Sequence, residues 1–255
     1  MTEIPECEGR VLGIKPSSIL TTYTMIVGIS SSAILPLMGA IIDYTPWRLS
    51  CGQITSLLFI LTSIPQIFLN EQNFRILAII QLLNSFIGWT QTELAYTYLP
   101  ELSENEDVLN DYTKSFTVAF FSSSVIYLVV IIGSVTAAGY GDNDLLISRT
   151  GIAVAVVINI VLLPLAWKIL FKKREQMHEL PNNTSIWTAG FIQLYHTTKG
   201  IASNFNALKW FFVAIALSDA AIQAMTTIMV TYMTDKLQFT TTENGVSIGI
   251  TLCGT

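Results

Sequence analysis

Charge is scarce in this chain of 255 residues: Asp, Glu, Lys and Arg together make up 12% of it, about half the share of an average soluble domain. Thirteen Lys and Arg face eighteen Asp and Glu, a formal net charge of −5, so there is no basic footprint for nucleic acid. Cysteine is sparse and odd in number. Cys7, Cys51 and Cys253 are scattered, with no CxxC pair or zinc spacing, which argues against a disulfide framework and a metal centre. Histidine is scarcer still. His178 and His196 sit in a polar connecting stretch, away from other ligand types, so no metal and no cofactor is expected. No Ser/His/Asp set, HExxH or carboxylate pair at helical spacing is visible, and an enzyme is not expected. The opening residues, MTEIPECEGR, are acidic and lack the apolar core of a signal peptide.

What is abundant is apolar. Hydrophobic residues make up 51% of the chain, and its few charges cluster in the gaps between long apolar runs. Crossing a bilayer core takes roughly 20 apolar residues as a helix. Six runs meet or approach that length: Ser17–Ile42, Gln53–Leu69, Ile76–Leu99, Ser115–Ala138, Thr150–Leu170 and Trp210–Met233. A seventh begins at Gly245. Lipid leaves backbone polar groups unsatisfied, so spans are helices or closed barrels. Barrel strands are about 10 residues long and alternate in polarity. These runs are longer and apolar all round, which predicts an all-α membrane protein. Pro36 and Pro65 are expected to kink or end their spans.

The basic residues orient the chain. Arg48, Lys114, Lys168, Lys172, Lys173, Arg174, Lys199 and Lys209 fall on one side of the alternating loops; Arg10, Lys15, Arg75, Arg149 and Lys236 fall on the other. The first side, with its dense KKR, is expected to be cytoplasmic. It holds the long connection between the fifth and sixth runs. The sequons at Asn182 and Asn183 lie in that connection and are expected to be unmodified. Within it, Ile186, Phe191, Leu194 and Tyr195, with Trp187, recur at helical spacing. Two readings fit: a helix lying in the membrane interface, or one packed under the bundle. The N-terminus then falls on the far side, and the last run stops part-way, so the chain reads as the middle of a larger protein.

Ionisable side chains inside spans are rare and face a cavity or a partner. Two stand out. Asp219 lies near the centre of the sixth run, and Gln223, Thr226 and Thr227 follow it at i+4, i+7 and i+8, which makes a polar stripe on one helix face. Glu93 lies one turn from Trp89 in the third run, with Asn84, Gly88, Gln91 and Thr92 nearby. Such carboxylates can bind a proton or a substrate ammonium group near the midplane between bundles. The alternative is structural: a carboxylate hydrogen-bonded to a neighbouring helix. Small residues spaced as Gly28/Ser32 and Gly133/Ala137 predict close helix approach. The hydroxyls of Ser122, Ser123 and Ser124 either face a cavity or bond back to their own helix.

One loop carries a recognisable pattern. GAIIDYTPWR, Gly39 to Arg48, joins two spans. It resembles the signature loop between the second and third helices of the major facilitator superfamily, roughly G-x-L-x-D-R-x-G-R-K. Gly39, Asp43 and Arg48 match its glycine, aspartate and final basic position. Tyr44, Pro46 and Trp47 depart from it. Asp43 paired to an arginine would bias one packing of the bundle over another. The match implies that the chain covers helices two to seven and the start of eight. Residues 1–170 would form an N-terminal bundle lacking its first helix, 171–209 a cytoplasmic connection, and 210–255 the start of a C-terminal bundle.

A closer resemblance spans most of the chain. CEGRVLGIKPSSILTTYTMIVGISSSAILPLMGAIIDYT, AYTYLPEL and ALKWFFVAIALSDAAIQAMTT are similar to segments of the autophagy-related vacuole effluxer family. Its seventh helix has an aspartate followed about one turn on by a glutamine, and Asp219 and Gln223 stand in that order. The resemblance implies a secondary transporter working by alternating access, exporting amino acids from vacuole to cytosol, with protons as a candidate coupling ion. Asp219, Gln223, Glu93, Thr226 and Trp89 are the expected path residues; Gly39, Asp43 and Arg48 form the expected switch loop. The expected surroundings are a lipid bilayer, vacuolar or another endomembrane. Two rivals stand beside this reading: a carrier of another solute (sugar, nucleoside or folate), and a non-transporting scaffold or sensor with the same fold.

Overall fold

The computed structural model describes residues 18–70, 72–99, 102–103, 105–139, 143–173, 179–180 and 184–253, with side chains to 250. The acidic N-terminal stretch with Cys7, Arg10 and Lys15, and also Arg174, His178 and both sequons, lie outside the described residues, as does the side chain of Cys253. Among the described residues every regular element is a helix: α1 (Ile19–Tyr44), α2 (Arg48–Ser63), α3 (Phe74–Tyr96), α4 (Glu106–Ala138), α5 (Asp144–Ile169), α6 (Ile186–Asn204), α7 (Asn206–Asp235) and α8 (Thr241–Cys253). A 3₁₀ segment, Ile64–Phe68, extends α2. Five helical stretches are long and apolar enough to cross a membrane: α1, α2 with its 3₁₀ extension, α4, α5 and α7. The chain fits a multi-pass, all-helical membrane protein.

The third predicted span, α3, is not among those five. Its sequence explains why. It carries Gln81, Asn84, Ser85, Gln91, Thr92 and Glu93, and several of these are what attach it to its neighbours. The Asn84 Nδ2 donates to Phe59 O, Thr62 Oγ1 and Ser63 Oγ of α2 at 3.0, 2.9 and 2.8 Å. The Tyr23 hydroxyl of α1 reaches Gln81 O and Ser85 Oγ. Polar groups satisfied between helices act as glue in a medium without water. A helix too polar to face lipid on all sides therefore sits against α2 and α1.

Capping residues move several boundaries beyond the apolar runs. The α4 helix starts at Glu106 rather than Ser115, because Asn105 accepts a hydrogen bond from Asp107 N at 2.9 Å. Glu106 and Asp107 then complement the positive helix end. It stops at Gly139, whose φ of 65° is a left-handed cap. The Asn143 side chain caps α5 through Leu146 N, so α5 starts before Thr150. Helix α8 starts at Thr241, ahead of Gly245, and Thr240 and Glu243 form a reciprocal box. Glu243 Oε2 accepts from Thr240 N at 2.8 Å and from its hydroxyl at 3.0 Å, which lowers the Glu243 pKa below the usual carboxylate value. Pro36 is carried inside α1, whereas Pro65 opens the 3₁₀ segment that ends α2.

The core sits at one end of the bundle. Ile42 of α1, Leu94 and Tyr98 at the end of α3, and Trp167 of α5 are buried together, with Leu49, Cys51 and Phe171 against them. This end also carries Arg48, Lys168, Lys172 and Lys173. At the other end, Arg149 Nε of α5 donates to Leu69 O at 2.6 Å, and the Thr241 hydroxyl bonds the Asp144 carboxylate. Helix direction thus alternates in step with the loops. By contrast α7 buries only Met233.

Candidate functional site

The predicted switch loop contributes Ile42 to that core and buries Arg48 beside it, while its Trp47 is exposed. Arg48 is 2% exposed, and its guanidinium carbon lies 4.9 Å from the centre of the Tyr98 ring. A buried cation on an aromatic face is partly compensated by the ring quadrupole. Asp43 is half-buried near the end of α1, five residues ahead of Arg48 and across the turn that separates α1 from α2. The Tyr44 hydroxyl donates to Gln193 Oε1 of α6 at 3.0 Å. Thr45 shapes the turn: its hydroxyl donates to Ile41 O and accepts from Trp47 N at 3.3 Å.

Aromatic rings lock the loop to α3 and α5. Tyr98 meets Phe171 at 4.8 Å and Trp167 edge-on at 6.2 Å, and Trp167 stacks on Phe171 at 4.3 Å. The Tyr98 hydroxyl donates to Lys172 O at 3.3 Å. Trp167 Nε1 donates to Gln91 Oε1 at 2.8 Å, and Gln91 Nε2 donates to Gly52 O at 2.8 Å and to Thr55 Oγ1. Gln91 thereby joins α2, α3 and α5. A Cβ on Gly52 would overlap the Trp167 ring.

Gly52 and Trp167 are not among the residues the sequence marks, and Gln91 stands there only as a polar neighbour of Glu93. Gly52 offered one signal, a glycine inside an apolar helix, but its partner lies 115 positions away (167 − 52). Tyr98 does fall within the AYTYLPEL segment.

Close approach is not where the small-residue spacing placed it. A Cβ on Gly28, Gly39 or Gly133 would meet nothing within 4 Å. The tight contacts are at Gly52 and at Gly190, where a Cβ would overlap the Pro36 carbonyl. These positions face a bulky ring and a helix backbone, and no i,i+4 pattern within one helix reveals that.

The expected path residues are all exposed. Asp219, Gln223 and Thr226 lie along α7, and Trp89 and Glu93 along α3. Helix α3 packs on α2 and α1, and α7 on α6, α1 and α8; among the described residues no hydrogen bond or ion pair joins Asp219, Gln223 or Thr226 to Trp89 or Glu93. The Thr226 and Thr227 hydroxyls bond back to Ile222 O and Gln223 O at 2.8 and 3.0 Å. Ser123 and Ser124 do the same to Phe120 O, at 2.8 and 3.1 Å. A shallow groove of about 240 Å³ lies between α1 and α7 at Thr21, Thr231 and Asp235. Another, of about 280 Å³, lies between α2 and α5 at Ser56, Pro164 and Trp167. Neither is lined by Asp219 or Glu93. Among the described residues no cluster of three metal-ligating side chains exists.

The long apolar helices fit a multi-pass helical membrane protein. No family model, no curated protein and no solved structure matches this chain.

Proposed function

We propose that the chain belongs to a secondary transporter of small solutes that works by alternating access, with amino acids as the first substrate class to test and protons as the coupling ion. The major facilitator and vacuole effluxer resemblances of its loop and α7 motivate the class and the substrate. The observation that carries the reading is the α7 stripe. Asp219 and Gln223 stand exposed on a helix of membrane-crossing length that buries only Met233. A carboxylate at that depth is costly unless it faces a polar cavity or a partner. On this reading the stripe lines a path between two helical bundles. The Arg48–Tyr98 contact holds one bundle in a defined packing.

A second reading has its own support. Neither groove reaches Asp219 or Glu93, as a scaffold or sensor that kept the fold without transporting would also have it. Uptake by the full-length protein in proteoliposomes separates the two. Labelled amino acids should accumulate under a pH gradient, and Asp219→Asn should abolish that accumulation at unchanged expression. Normal transport by Asp219→Asn would remove this residue from the mechanism. No uptake of any tested solute by the wild type would favour the scaffold.

A further inference from the structure

The two sides of α6 have different surroundings. Ala189 is 2% exposed, and Gly190 beside it is buried against Pro36 and Ala40 of α1. The opposite face carries Trp187, Phe191, Leu194 and Tyr195 at i, i+4, i+7 and i+8, and these are 69, 46, 54 and 62% exposed. The helix is packed on the bundle, yet its large apolar residues are not what it packs with.

We propose that this aromatic face seats in the lipid leaflet at the basic end of the bundle, and that the leaflet is anionic. Two observations select the bilayer as occupant. The first is depth. Pro36 and Ala40 precede Tyr44, the last residue of α1, by about two turns and one turn, roughly 12 and 6 Å at 1.5 Å per residue. Interfacial helices ride about 5–10 Å into the boundary between headgroups and acyl chains, so the contact with α1 sets α6 at that level.

The second is charge. Lys199 Nζ lies 5.9 Å over the Tyr195 ring and Lys209 Nζ lies 5.0 Å over the Trp210 ring. Lys168, Lys172 and Lys173 are exposed at the neighbouring end of α5. None of these five ammonium groups is in an ion pair among the described residues. Amphipathic helices with aromatics below and lysines at the flank bind anionic headgroups. The inference rests on the membrane reading alone and holds whether or not the chain transports.

The test uses the full-length protein in nanodiscs with brominated lipids. Quenching of Trp187 is read as the difference between wild type and Trp187→Phe, an exposed position where the change should not disturb folding. Brominated phosphatidylserine should quench Trp187 about twofold more than brominated phosphatidylcholine at equal mole fraction, as expected if anionic lipid is enriched there. The excess should vanish in Lys199→Glu/Lys209→Glu. A nitroxide at Leu194→Cys, with native cysteines replaced, should be relaxed by oxygen and shielded from a nickel chelate. Equal quenching by the two lipids would overturn the anionic preference. Shielding from both relaxants would mean a protein partner or a second copy covers the face. Full nickel access would mean water does. Either of the last two outcomes would overturn the proposal.

Discussion

Adding one methyl group at Gly52 should unlock the core beside the Gly39–Arg48 loop. The Cβ of Gly52→Ala would overlap the six-membered part of the Trp167 indole. That ring has little freedom to yield. It is 3% exposed, stacked on Phe171 at 4.3 Å and hydrogen-bonded to Gln91 at 2.8 Å. Overpacking a filled site costs about 1–3 kcal/mol, and displacing the indole forfeits a hydrogen bond of about 1 kcal/mol. Alanine returns about 1 kcal/mol of helix propensity. The net loss is about 1–3 kcal/mol, and for a chain of this size each kcal/mol lowers Tm by about 2–4 °C. A central value of about 2 kcal/mol therefore corresponds to a drop of about 4–8 °C. The assay is thermal unfolding of the full-length protein in detergent, followed by a fluorophore that reacts with Cys51, a half-buried free thiol, as it becomes exposed. Gly39→Ala is the control, because its Cβ meets nothing within 4 Å; its Tm should stay level or rise. Trp167→Phe should remove most of the Gly52→Ala penalty in a double-mutant cycle. An unchanged Tm for Gly52→Ala, or additive effects in the cycle, would refute the argument.

Other expectations follow from single contacts. Tyr98→Leu removes the ring over Arg48 and leaves a buried guanidinium with less compensation, so stability should fall by about 1–2 kcal/mol; denaturant titration reads this. Gly190→Val should push α6 off α1 and raise protease cleavage in the connection between α5 and α6, while Gly200→Val, which has open space, should not. The Thr240–Glu243 box should depend on pH. The folded pKa of Glu243 is lowered by hydrogen bonds from Thr240, so its support of α8 is complete above the ordinary carboxylate pKa of 4.5 and is lost as pH falls through the lowered folded value. Protection of the Thr240 amide, its exchange rate relative to the unstructured rate at the same pH, should fall in acid, and Glu243→Gln should flatten that change. The topology predicts that Asn182 and Asn183 carry no glycan; a mobility shift on glycosidase treatment would invert it.

The sequence by itself determined that the chain is helical and multi-pass, because segments this apolar and this long have few other ways to satisfy their backbone. It marked the loop at Gly39–Arg48 and the stripe at Asp219, because both break an apolar pattern locally. Helix starts were less legible. Asn105, Asn143 and the Thr240–Glu243 box act outside the apolar runs, so α4, α5 and α8 begin ahead of the starts of those runs at Ser115, Thr150 and Gly245. The polarity of α3 was visible, but its purpose was not. Only tertiary structure decided that Asn84, Ser85 and Gln91 hold α3 against α1 and α2. Only tertiary structure placed Trp167 on Gly52 and Gly190 on Pro36, and turned the aromatic face of α6 away from α1. Periodicity records which residues share a face of one helix. Which face meets which neighbour depends on side-chain shape and on hydrogen-bond partners far away in the chain, and these are settled only when the helices pack.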